Sequence, residues 1–111
     1  MTDKLLVIIS TAEAEVARTG MMYAVNALKN LWMADIKIFF FGPAQELLTR
    51  DTELQRLLKE YQAHEETAVA CKFIADRDHT AGPTSELGVQ VAYVGTMISD
   101  LIREGYVPMV W

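Results

Sequence analysis

The chain has a single cysteine in 111 residues. No disulfide can therefore close within it, and a reducing, cytoplasmic setting is expected. Basic residues are few: 10 Lys and Arg stand against 15 Asp and Glu, a net charge of −5. That balance excludes a nucleic-acid module, which normally presents a basic stripe. No apolar run approaches the ~18 residues of a membrane-spanning helix. The apolar run over 5–9 is too short, and begins too early, for the core of a secretion signal. Glycine-rich phosphate and dinucleotide fingerprints are lacking. His64 and His79 have no partner at metal-ligand spacing. No metal, cofactor, nucleic acid or membrane is therefore expected.

What the chain has is apolar residues, at 51%. This lies slightly above the usual ~45–50% and suggests a homo-oligomer. Residues 5–9, Leu-Leu-Val-Ile-Ile, read as a strand covered on both faces. Ser10 and Glu13 have capping-box spacing. Val16, Gly20, Tyr23, Ala24, Ala27, Leu28 and Leu31 then recur at helical spacing, predicting a helix over about 13–33. Gly20 weakens its first half, so a start near Thr19 is the alternative. Further strands are expected at 36–41, 67–71, 89–92 and 107–110. Short helices are expected from Pro43 to Leu48, after a cap at Asp51, over 72–78, and over 96–104 before Gly105. Gly82, Pro83 and the hydroxyl residues around them predict a mobile loop over 80–88. The expected core combines Leu6, Val7, Ile8, Ile38, Phe40, Val69, Val91 and Ala92 with Ala24, Ala27, Leu28, Leu31, Ile98 and Leu101. Alternating strands and helices imply one α/β domain over 1–111, a three-layer α/β/α sandwich with a mostly parallel five-stranded sheet.

Ligands of open α/β sheets bind beyond the carboxyl ends of the strands. Of the residues expected there, Cys71 is the strong nucleophile. A helix starting at Lys72 would favour the thiolate through its dipole, and the Lys72 ammonium would add to this. Cys71 equally suits a small buried core position. His79 follows eight residues later and could exchange protons with a Cys71 species, or stand as a solvated loop histidine.

Phe39-Phe40-Phe41-Gly42 with Leu47-Leu48, the strand end Val69-Ala70-Cys71, and the stretch from Gly88-Val89-Gln90-Val91 to Trp111 together resemble the DsrE/DsrF-like family, which includes the TusD-like sulfur-relay subunits. The resemblance implies a five-stranded parallel sheet and assembly as trimers or hexamers. It also implies a persulfide on Cys71, the one catalytic residue carried over; Lys72 and His79 are supporting candidates from their position in the chain. No second cysteine lies near the C-terminus, so a complete relay within one chain is not implied. The expected function is thus a sulfur carrier, a sulfurtransferase acting with donor or acceptor proteins. The alternative is a non-catalytic oligomeric module that holds a small anion or nucleotide at the strand ends.

Overall fold

The structure is a computed structural model that describes residues 3–111. In chain order it contains β1 (Lys4–Ile9), α1 (Ala14–Lys29), β2 (Asp35–Phe40), α2 (Ala44–Arg50), α3 (Thr52–Gln62), β3 (Val69–Cys71), α4 (Lys72–Arg77), α5 (Ala81–Glu86), β4 (Gln90–Ala92), α6 (Gly95–Arg103) and β5 (Val107–Val110). The strands form one all-parallel sheet in the order β4-β3-β2-β1-β5. With helices on both faces, this is the three-layer α/β/α sandwich.

Alternation along β1 divides the core. Leu5, Val7 and Ile9 point into a large cluster with Ile36, Ile38 and Phe40 of β2, which α1, α2 and α3 cover. Leu6 and Ile8 point the other way, into a small cluster with Phe39, Val69 and Cys71. Over that second face lies α6, none of whose residues is fully buried. Asp51 caps α3 as expected: its carboxylate accepts from the Leu54 N–H at 2.9 Å. The same carboxylate accepts from Arg18 Nε at 3.1 Å, which ties α1 to α3.

Several expectations change. Helix α1 begins at Ala14, next to the expected start and well before Thr19, but its N-cap is Glu13, whose side chain accepts from the Glu15 N–H, and not Ser10. Gly20 lies inside α1 for a tertiary reason. A Cβ there would sit 2.5 Å from Cγ of the Trp111 ring. The helix also ends early. Trp32 N–H donates to the Ala27 carbonyl at 2.9 Å and Leu31 N–H to that of Leu28 at 3.3 Å, the Schellman pattern. Leu31 holds the left-handed position with φ 57° and leaves the core for solvent. Val91 and Ala92 are only half-buried, since β4 is an edge strand. The segment 80–88 is no loop: it holds α5. Pro83 is tolerated because it lies in the first turn, where N–H groups lack intrahelical acceptors anyway. No helix of the described residues is long and apolar enough to cross a membrane.

Candidate functional site

Three strand ends converge beyond the sheet. Ser10 follows β1, Gly42 follows β2, and Cys71 ends β3. Gly42 adopts φ +130°, and a Cβ at this position would lie 2.6 Å from Ser10 Oγ. The close crossing requires glycine. Gln45 on α2 is buried and fastens two of these ends. Its Oε1 accepts from the Gly42 N–H at 3.1 Å, and its Nε2 donates to the Cys71 carbonyl at 3.0 Å. Nothing in the local sequence announced this residue, since the Cys71 carbonyl that it meets lies 26 residues on.

Cys71 is also the N-cap of α4, with no side-chain capping bond of its own. It is 6% exposed, packed with Leu6, Ile8, Phe39, Val69 and Val94. Two aromatic residues stand outside it. Phe73 lies two residues on, and Tyr93 follows Ala92, the in-register partner of Cys71. Both are 65% exposed. The phase of α4 turns Ile74 and Ala75 inward and Phe73 outward.

The supporting candidates have other attachments. Lys72 Nζ donates to Asp76 Oδ2 at 2.8 Å, one helical turn on, and stands 5.9 Å from the centroid of the Tyr93 ring. The hydrogen bond and charge of Asp76 hold the Lys72 ammonium more firmly protonated than usual. His79 is exposed, in the left-handed C-terminal position of α4 with φ 58°. Thr80 N–H donates to the Ala75 carbonyl at 2.9 Å and His79 N–H to that of Asp76 at 3.4 Å. The backbone of His79 closes the helix. The expected mobile cover is instead α5, whose Thr84 is fully buried. The hydroxyls of Thr80 and Thr84 are both buried without a hydrogen-bond partner.

The sheet order reverses at β1, which has β2 on one side and β5 on the other. The crevice at such a switch point is where open α/β sheets hold ligands. Here Trp111 fills it. Its carbonyl accepts from the N–H groups of Ser10 at 2.8 Å and Thr11 at 3.2 Å, and its ring lies on Gly20. The amides that would receive an anion are thus already bonded. Among the described residues no group of three or more His, Cys, Asp or Glu could hold a metal ion.

No family model matches the chain. No curated protein matches it either. The fold itself has close counterparts. A solved structure of a conserved protein of unknown function from Bacteroides thetaiotaomicron superposes with a TM-score of 0.88 at 25% identity, over 98% of this chain and 95% of that one. A protein of unknown function from Methanobacterium thermoautotrophicum superposes with a TM-score of 0.69 at 18% identity, over 97% and 98%. The second likeness is one of fold alone.

Proposed function

We propose that this protein carries sulfane sulfur on Cys71 in a reducing, cytoplasmic setting. One observation carries the reading. The lone cysteine stands at a strand's carboxyl end and a helix's first turn, with two exposed aromatic residues beside it. Exposed aromatic pairs are typical anchors for a protein partner. The likeness of its strand–helix order to DsrE/DsrF-like sulfur-relay subunits adds to it.

The chemistry is thiol exchange at constant oxidation level. The Cys71 thiolate attacks the terminal sulfur of a donor persulfide, R–S–SH. The new bond is Cys71 Sγ–SH, the donor S–S bond breaks, and R–S⁻ leaves with the electron pair. An acceptor thiolate then attacks the terminal sulfur on Cys71, forms R′–S–SH and restores the Cys71 thiolate. No external oxidant or reductant is required. Because the thiol is buried, the partner must displace part of its cover, and the exposed Phe73 and Tyr93, near Cys71 in sequence and in strand register, are the anchors this reading assigns to docking.

Burial of Cys71 within an apolar cluster favours a second reading, in which it is a packing residue of a non-catalytic module. An anion or nucleotide at the switch point is less well supported, because Trp111 already takes the amides of Ser10 and Thr11. Intact-mass spectrometry after incubation with glutathione persulfide separates the two. Sulfur carriage predicts a gain of one sulfur atom in the native protein and none in Cys71→Ala. A native protein that gains no sulfur, and whose thiol reacts with a small alkylating reagent only on unfolding, would establish the packing role.

A further inference from the structure

Helix α6 packs over β1 and leaves part of its own face of the sheet bare. Met97, Leu101 and Glu104 recur at helical spacing on the side of α6 turned to β2 and β3. Between that side and the amino halves of the two strands lies a groove of about 310 Å³. Phe39, Val69, Met97 and Leu101 form its apolar walls, and the exposed Thr67 stands at its edge. A cavity of roughly 150 Å³ suffices to admit benzene, so the groove accepts a group the size of an indole. Apolar recesses with a few polar groups at the mouth are where small molecules bind.

The charges at its mouth decide what kind. Lys37, Asp100 and Glu104 line the groove directly. Lys37 Nζ lies between Asp35 at 3.6 Å and Glu66 at 3.5 Å, so its charge is already matched. Asp35 in turn accepts from the Tyr106 hydroxyl. Asp100 is paired with Arg103 at 2.8 Å. Lys4 Nζ donates to the main-chain carbonyl of Glu104 at 3.5 Å and stands 5.5 Å from the centroid of the Tyr106 ring. The Glu104 carboxylate has no ion-pair partner among the described residues. Over this whole set, four carboxylates stand against three cations. The surplus is negative, and it falls on Glu104. An anion would meet Asp100 and Glu104 and find in Lys37 an ammonium already shared by two carboxylates. A cation without an apolar body would leave the walls in water.

We infer that the α6 groove binds a small primary amine with an aromatic or branched aliphatic body. The body lies against Phe39, Val69, Met97 and Leu101, and the ammonium meets the Glu104 carboxylate. The site is at the amino side of β2 and β3, whereas Cys71 ends β3 at its carboxyl side. Amine binding is therefore independent of whether Cys71 carries sulfur.

Methyl NMR on the full chain tests it, with tryptamine as the probe and indole-3-propionate as the anion of similar body. The methyl resonances of Val69, Met97 and Leu101 should shift saturably with tryptamine, half-saturating below about 1 mM. Indole-3-propionate should bind at least about fivefold more weakly. Glu104→Gln, at an exposed position, should weaken tryptamine about threefold and narrow its advantage over the acid. Thr67→Trp, exposed as well, lays an indole over the groove and should abolish the shifts. The proposal is overturned if these methyls show no saturable shift up to about 10 mM tryptamine. It is equally overturned if the two probes bind alike, if Glu104→Gln changes nothing, or if the shifts survive Thr67→Trp. Groove methyls that shift on dilution of the protein alone would give the groove to another copy of the chain and overturn it too.

Discussion

The two faces of the sheet are finished to different standards. The face under α1, α2 and α3 is sealed: Val7, Ile9, Ile38, Phe40, Leu48, Leu54 and Tyr61 are all essentially inaccessible. Even its buried phenol is satisfied, with Tyr61 Oη donating to the Ile36 carbonyl at 2.8 Å. The opposite face is covered by α6 and by Ile74 of the short α4, and Met97, Ile98 and Leu101 on α6 stay half-exposed. A 9-residue helix cannot roof strands that three helices cover on the other side. The sealed face holds the fold together, and the open one has surface left for partners. Cys71 belongs to the open face.

The sharpest way to break this contrast is to truncate one residue on each side. Phe40→Ala should cost about 3–5 kcal/mol in denaturant unfolding. Leu101→Ala, already half in water, should cost about 1–2 kcal/mol. Equal losses would mean that the open face is sealed in solution, as self-association would make it.

Asp51 tests the polar seam of the sealed face. The Arg18 hydrogen bond, then the Leu54 amide and nearby positive charge, hold its carboxyl below the usual range despite its burial. A depressed folded-state value means stability that is fully present above the unfolded value of ~3.9 and lost as pH falls through the folded one. Asp51→Ala should cost about 1–2 kcal/mol at neutral pH. It should also flatten the acid limb of a stability–pH profile; an unchanged limb would assign acid sensitivity to other carboxylates.

Three buried side-chain groups among the described residues lack a hydrogen-bond partner: the hydroxyls of Thr80 and Thr84 and the indole N–H of Trp111. Thr84→Val keeps the shape and removes the unpaired hydroxyl, so the melting transition should rise by the equivalent of about 1 kcal/mol. A loss instead would show that a buried water satisfies this group. The smallest effect belongs to Leu31, at the left-handed end of α1. At Leu31→Gly, relief of left-handed strain, ~1–2 kcal/mol, opposes the added chain entropy of glycine, ~0.5–1 kcal/mol. A net gain of about 0.5 kcal/mol should appear in denaturant unfolding. A clear loss would mean that Leu31 packs against its own chain.

Much of the architecture was readable from residues near one another. The Leu-Leu-Val-Ile-Ile run demanded a strand covered on both sides. Asp51 before Leu54, and Gly105 after α6, marked helix ends by chemistry confined to a few residues. Cys71 at a strand end was readable in the same way. Its burial was one of the two readings open to it; its neighbours were not legible, because Leu6, Ile8 and Phe39 reach it from other strands.

Local pattern therefore determined which segments are strands and helices, since a hydrogen-bonded turn or an alternating face involves residues within one or two turns of chain. It misjudged α5, where Gly82 and Pro83 looked like breakers but occupy a first turn that tolerates them. It misjudged Leu31, whose apolar spacing continued the α1 stripe past a backbone that had already reversed. Only the tertiary structure decided that Gly20 makes room for Trp111 and that Gln45 clips β2 to β3. It alone decided that one face is closed while the other stays open. Each of these depends on groups far apart in sequence meeting at van der Waals or hydrogen-bond distance, and the order of residues along the chain carries no record of such meetings until the sheet has brought them together.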